Sequence, residues 1–518
     1  MKKFYRIEEC RSLSDILRFQ ALRYPEQSWL YDGNVGKSYT FKIIDDMVDK
    51  AVSFFKQKKC LPGEIISTVI DNRFEYIIIF LAAHRLGLIF NPFPFNLNAQ
   101  DVHKYLNYIE PKLVFCQDKH FCNLKSKGWP VELIADKERG NIFLEALQVL
   151  NKSDIKDFAP LDNETACIYY SSGTTGNPKG IMYSHRNIIE NISSVVRGFG
   201  WGRQDNHLVI LPLGHTAAIN YSFLPCLYSG ARIVLFESFW KIRNNFWKYV
   251  EEFNITYIEV VPSILFSIVN TSYNDYEKTR IKQLKYIGCG SAPLPLEIQK
   301  KMEEKYQLKV ANLYGLSETG PTHIDNPLEF AWKPGSIGRP LDVNNVIIVN
   351  DNGEEVQDGV VGEISVSGLN VFTGYYKNNA AYKEVFNNGY FLTGDLGYRD
   401  SKGIFYFTER KKDLIIKGGV NIFPGEIDEV IFAHPLVKES LTVGISHQYL
   451  GELIKSYIVV KEGKNLDEDE IKIFCRDRLG EFKSPDQFIF VDDIPKGPSG
   501  KLLRRRLKEY ESSKNQNI

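Results

Sequence analysis

Apolar positions along the chain switch repeatedly between the period of a helix and the unbroken runs of a buried strand. Ser14 is placed to cap a first helix running towards Tyr24. Thr40 is placed to cap a second, in which Phe41, Ile44, Val48, Ala51, Val52 and Phe55 recur at helical spacing. The run 65–70 predicts a buried strand, 73–86 a helix stopped by Gly87, and 89–94 an extended segment. Such alternation is the pattern of a parallel α/β sheet. A second series follows, with strands at 208–213, 231–236, 256–261, 284–288 and 308–313, a helix started by Pro262 and another over 293–306. From about Ser336, short glycine-punctuated runs at 346–349, 362–367 and 403–408 predict a small antiparallel barrel. After Arg410 the chain restarts, with strands at 414–416, 440–444, 454–460 and 487–491 and helices at 424–434 and 467–479. The expected architecture is α/β. A large N-terminal domain (1–410) holds two parallel-sheet subdomains and a β-barrel (about 336–410), hinged near 409–413 to a small C-terminal α/β domain (411–518).

The length of 518 residues allows two or more domains, and 43% hydrophobic with 25% charged residues is ordinary for a globular chain. Lys+Arg and Asp+Glu both number 64, so no global field recruits nucleic acid or an acidic membrane. The stretch Lys501-Leu-Leu-Arg-Arg-Arg-Leu-Lys508 is a local basic exception. The eight cysteines form no Cys-x-x-Cys pair and sit at no metal-ligand spacing, which reads as reduced, mostly buried thiols. No apolar stretch follows the N-terminal lysines, and the run 77–83 is far too short to span a bilayer. A cytoplasmic protein with no transmembrane segment is expected.

The chemistry begins where the β-prone run 167–170 empties into Ser171, Ser172, Gly173, Thr174, Thr175 and Gly176, followed by Lys179. Four hydroxyls and two glycines make a donor-rich loop in which backbone N–H groups approach an anion closely. Polyphosphate is the ligand such a loop suits. It is not a Walker loop, because Pro178 stands where that motif needs glycine. The ten residues from Ser171 to Gly180 resemble instead the signature loop of the adenylate-forming superfamily, which includes acyl-CoA synthetases, adenylation domains of peptide synthetases and firefly-type luciferases. The closest resemblance is to acid:CoA ligases.

Further motifs stand in the family's order. Asn312-Leu-Tyr-Gly-Leu-Ser-Glu318 lies at a strand end, where α/β folds bind ligands. Tyr314 offers a flat face, Gly315 a close approach, Ser317 a hydroxyl and Glu318 a hard oxygen suited to Mg²⁺. The resemblance places Tyr314 on adenine, Ser317 (usually threonine in the family) at the α-phosphate and Glu318 on the metal. It makes Ser291, Ala292 and Pro293 the wall beside adenine. It assigns Asp395 and Arg410 to the ribose, Lys412 to the hinge, and Gly418 and Gly419 to a loop lining the pantetheine tunnel. Lys501, in Lys496-Gly-Pro-Ser-Gly-Lys501, becomes the catalytic lysine. A cation there stabilises charge building on the transferring phosphoryl group. Domain rotation would exchange Lys501 for the Gly418-Gly419 loop between half-reactions.

His215 matches the family's acid-pocket entry, with a steering role rather than proton transfer. Amino-acid-activating members carry an aspartate near the position of Ala217. No Asp or Glu occurs between Asp205 and Glu237, and a buried ammonium without a partner is costly, so an acid without an α-amino group is expected. Ala217, Ala218, Ile219, Tyr221 and Phe223 suggest an apolar or aromatic lining. The reaction implied is acid plus ATP giving an acyl-adenylate and pyrophosphate, then a thioester on CoA with release of AMP. The alternatives are loading of a carrier protein's phosphopantetheine, a luciferase-type oxidoreductase, and a binding protein with dead chemistry. Intact Glu318, Asp395, Arg410 and Lys501 speak against the last.

Overall fold

The computed structural model describes residues 6–135, 141–152, 158–170, 179–271, 281–329 and 332–495, together with 504, 506–508 and 511. Two seven-stranded sheets form its body. One runs, edge to edge, Val310–Leu313, Tyr286–Gly290, Tyr257–Val260, Asn206–Val209, Arg232–Leu235, Ser28–Asp32 and Lys37–Thr40. Every neighbour pair is parallel except the last, a hairpin. The other runs Gly374–Tyr375, Gly180–Ser184, Thr165–Tyr170, Ile89–Phe93, Ile65–Val69, Leu113–Cys116 and Val131–Leu133. The helices Phe41–Gln57 and Phe74–Leu86 pack against each other, and nearly every residue of the second is buried. A helix apolar all round is one covered on every side.

Local signals set the ends of these elements. The Thr40 side chain accepts from the Ile43 N–H and starts the helix Phe41–Gln57. Gly87, at φ 76°, ends Phe74–Leu86 in the left-handed conformation that suits glycine. The first helix departs from expectation. Its cap is Ser12, which accepts from Asp15 N at 3.0 Å, and the helix is Leu13–Arg23. Ser14 lies one residue inside it, and its hydroxyl accepts from the Nε of fully buried Arg85. The Arg85 guanidinium needs acceptors, so it captures the serine nearest it.

From Asn344 the chain forms a five-stranded antiparallel sheet around the long strand Tyr390–Arg399, which pairs with Gly362–Gly368, Phe386–Asn387 and Phe405–Arg410. Beyond Arg410 a second five-stranded sheet is built on the hairpin Val437–His447/Gly451–Val460, whose first strand is longer at both ends than its apolar run suggested and whose second starts three residues earlier. Its core of Ile415, Ile422, Ile427, Ile431, Ile454, Ile458, Ile471 and Cys475 is separate from that of the body. This small C-terminal α/β unit supports, as a proposal, a domain boundary at residue 410. Among the described residues, no helix is long and apolar enough to cross a membrane.

Candidate active site

The site forms where the first sheet's strands end. Val310–Leu313 delivers Asn312, Tyr314 and the segment 315–318. The Asn312 N–H donates to Asp325 Oδ2 at 2.7 Å, which fixes the strand's exit. Gly315 is required by the chain itself, since a Cβ there would fall 2.2 Å from the Gly320 carbonyl oxygen. Next door, Tyr286–Gly290 delivers Ser291, Ala292 and Pro293. Ser291 is exposed and holds φ at 67°, a strained conformation for a non-glycine residue.

Tyr314 is buried, and its hydroxyl donates to Asp395 Oδ2 at 3.0 Å. Asp395 and Arg410 face each other in register across Tyr390–Arg399 and Phe405–Arg410, and Arg410 Nε lies 3.2 Å from Asp395 Oδ1. Tyr314 and Arg410 therefore meet on the 3%-exposed carboxylate of Asp395, which joins three motifs. Four residues on from Tyr314, Glu318 Oε1 accepts from the Tyr375 hydroxyl at 3.1 Å. Burial is the main influence on the Glu318 carboxyl and pushes it above the ordinary range, although Tyr375, Arg410 and Lys179 oppose the shift. Lys179 Nζ sits 5.3 Å from the centre of the Tyr375 ring. Sequence reasoning missed Tyr375. It arrives because Gly374–Tyr375 pairs with Met182 and Ile181 of a strand almost two hundred residues earlier. Ser317 is half-buried, and its carbonyl accepts from the Tyr183 hydroxyl at 2.9 Å.

His215 immediately precedes the short helix Thr216–Ala218, and its side chain makes no capping hydrogen bond. Asn72 holds the preceding loop, donating to the Leu211 carbonyl and accepting from Leu213 N, each at 2.8 Å. Burial lowers the His215 imidazole to about 4, so it is neutral at physiological pH, and its Nε2 finds no protein partner among the described residues. The helix runs into a π-helical turn, Ile219–Phe223. In that turn the Tyr221 hydroxyl donates to the Tyr314 carbonyl at 3.2 Å, while Ser222 Oγ donates to Glu259 Oε2 at 3.2 Å. Phe223 does not line the site. Its ring packs on Trp29 and Phe80 in the body's core. Glu259 is a second residue missed, although a lone carboxylate inside the apolar run 257–261 was the available signal.

At the junction, Lys412 is exposed in the 3₁₀ turn Lys411–Asp413. Gly418 and Gly419 form the exposed two-residue tip of the hairpin Ile415–Lys417/Val420–Ile422, with φ of 58° and 79°. Two left-handed residues in a two-residue connection are the pattern that favours glycine. Lys417, in the pair that closes the tip, anchors the hairpin through Asp486, at 2.8 and 2.9 Å. Glu409 accepts from Gly425 N at 2.7 Å and Arg410 N at 3.0 Å, and Arg504 bridges it to Asp428. Ser171, Ser172, Gly173, Thr174, Thr175, Gly176 and Lys501 lie outside the described residues.

A family profile described as "AMP-binding enzyme" matches residues 17–376, and one described as "AMP-binding enzyme C-terminal domain" matches 426–501. The chain belongs to the AMP-binding enzyme family. This AMP-binding enzyme is 30% identical to the sulfoacetate–CoA ligase of Cupriavidus necator, over 96% of its own length and 97% of the relative's. It is 31% identical to a 2-succinylbenzoate–CoA ligase of Bacillus licheniformis, over 86% and 89%. Its fold matches ATP-bound MatB from Rhodopseudomonas palustris with a TM-score of 0.89 at 26% identity, covering 97% of this chain and 99% of that one. Apo MatB, over the same shares and at the same identity, gives 0.77. The arrangement seen here is thus nearer the nucleotide-bound one. MenE from Bacillus subtilis, in complex with its acyl-adenylate intermediate, matches at 0.85 and 26% identity, over 95% and 97%. This AMP-binding enzyme is an ATP-dependent, AMP-forming acid–CoA ligase that takes a small-molecule carboxylic acid.

Proposed function

We propose that in this ligase the Tyr314–Asp395–Arg410 cluster seats the nucleoside of ATP. The carboxylate held between a phenol and a guanidinium carries the reading. Asp395 accepts from the ribose hydroxyls, Arg410 contributes a second ribose contact, Tyr314 packs on adenine, and Ser291, Ala292 and Pro293 form the wall beside the base. Loop 171–176 and Lys179 hold the phosphates, and Ser317 reaches the α-phosphate. Glu318 fits a divalent cation, since a carboxyl pushed up by burial gains most from one. Bound Mg²⁺ would neutralise polyphosphate charge there.

The acid's carboxylate oxygen attacks the α-phosphorus, the bond to the bridging oxygen breaks, and pyrophosphate leaves. Lys501 stabilises the charge that builds on the transferring group. A CoA thiol then attacks the acyl carbonyl, loses its proton, and AMP departs. Neutral His215 steers the carboxylate and the incoming thiol rather than moving a proton. Rotation about Lys412 exchanges Lys501 for the Gly418-Gly419 tip, which lines the path of the pantetheine arm. The carboxyl Glu259 is held neutral by burial and offers no fixed charge to an ammonium, which supports an acid without an α-amino group. Eight unbridged cysteines, seven of them buried, support a reducing, cytoplasmic setting.

Acid-dependent pyrophosphate release, measured across a panel of carboxylic acids with CoA and then with phosphopantetheinylated carrier protein, tests the reading. The expected products are AMP and an acyl-CoA. Cleavage of ATP to ADP, or thioester formation on carrier protein alone, would refute it. Relatives named for acids as unlike as sulfoacetate and 2-succinylbenzoate are almost equally similar, so the acid must be read from this chain's own pocket wall.

A further inference from the structure

Glu259 is 2% exposed in the middle of the first sheet, on the strand Tyr257–Val260. An apolar side chain would fill that position without the cost of burying a polar group. Its place relates it to the site. Ser222 Oγ, 3.2 Å from Glu259 Oε2, belongs to the π-helical turn reached directly from His215. The neighbouring Tyr221 hydroxyl grips the carbonyl of Tyr314. On the other flank Glu259 pairs in register with Gly288, two residues before the strand ends at Gly290 and hands over to Ser291. The carboxyl thus lies between the segment that follows His215 and the strand that leads into Ser291. The titratable groups facing it are the phenols of Tyr221 and Tyr257 and the thiol of Cys289, all uncharged at neutral pH. Burial raises the carboxyl itself to about 8. A protonated carboxyl offers one donor and one acceptor, the complement of a hydroxyl group.

We propose that Glu259, set by Ser222, is a specificity-determining residue of the acid pocket and selects carboxylic acids that carry a hydroxyl group on their chain or ring. The assignment rests on the ligase reading above and deepens it. A site built to hydrogen-bond a substrate hydroxyl discriminates strongly against the analogue lacking it, because its own polar group is then left unpaired.

The test is kcat/KM for pyrophosphate release with matched acids: a plain acid, its hydroxylated counterpart and its amino counterpart, aliphatic and aromatic. Wild type should prefer the hydroxylated member by roughly tenfold or more. Glu259→Leu should erase or invert that preference while KM for ATP stays unchanged. Glu259→Gln, which keeps a donor and an acceptor, should retain most of it. If both variants lower all acids together at a constant ratio, Glu259 only pins the π-helical turn and the proposal is overturned. Preference for the amino counterpart would also overturn it, by pointing to an ionised carboxylate. If no acid elicits pyrophosphate release, the ligase reading falls first and this one with it.

Discussion

Replacing Asp395 by asparagine probes the centre of the proposed nucleotide site with little change of shape. The carboxylate is 3% exposed, accepts from the Tyr314 hydroxyl at 3.0 Å and faces Arg410 Nε at 3.2 Å. The amide keeps one oxygen for Tyr314 but loses the charge and the second acceptor. Hydrogen bonds to a charged group contribute about 1.5–3 kcal/mol, so losing one to the ribose should raise KM for ATP by roughly 10- to 150-fold. The Arg410 side chain is 35% exposed, so solvent screens most of its lost pairing. The decisive assay is a cycle. Pyrophosphate release is measured for wild type and Asp395→Asn with ATP, 2′-deoxy-ATP and 3′-deoxy-ATP. If Asp395 holds the ribose, wild type loses affinity with a deoxy nucleotide and the variant loses little more. Equal losses in both proteins would make the effects additive and remove Asp395 from the ribose.

Lys501→Ala should lower adenylation by roughly 10²–10³ while thioester formation from supplied acyl-adenylate survives; an equal fall in both half-reactions, followed by pyrophosphate and acyl-CoA assays, would end the two-conformation account. Arg504→Met leaves Glu409 and Asp428 facing each other without their cation, and breaking such a buried pair costs about 3–5 kcal/mol. The expected results are faster proteolysis near 411–413 and slower adenylation; unchanged digestion and rate would make the triad decorative. For Glu259 the folded carboxyl titrates at about 8 against an ordinary 4.5, so wild type loses stability as pH rises between those values. The melting temperature of Glu259→Gln should therefore gain on wild type from pH 5 to pH 8 and show no further gain above it, and a pH-independent difference by calorimetry would contradict the burial argument.

Much of the fold was legible because local and global signals agree. Thr40 and Gly87 bound helices that the apolar period also demands, and alternation marks the parallel sheets, though not their strand order, in which Ser28–Asp32 joins the strands of residues 206–313. The cap at Ser12 rather than Ser14 was not legible, since either serine could cap and the choice was made by Arg85, about seventy residues away. The site divides along the same line. Tyr314, Asp395 and Arg410 were recognisable by motif, and the fold brings all three together. Tyr375 and Glu259 were not, because one acts through a strand pairing formed far along the chain and the other breaks an apolar run without joining any motif. Phe223 reads as a pocket residue by position, yet the π-helical turn rotates its ring into the core beside Trp29 and Phe80.

The adjacency of Glu409 and Arg410 bears on recombination between relatives. One residue reaches back to the Asp395 carboxylate and the other forward to Gly425 and Arg504, so the peptide unit joining them is common to both halves. A chimera spliced between 410 and 411 would inherit Glu409 from one parent and the Gly425 N–H and Arg504 guanidinium that satisfy it from the other. Splicing upstream of residue 405 keeps the acidic residue with its partners, at the expense of re-pairing one edge strand with Tyr390–Arg399.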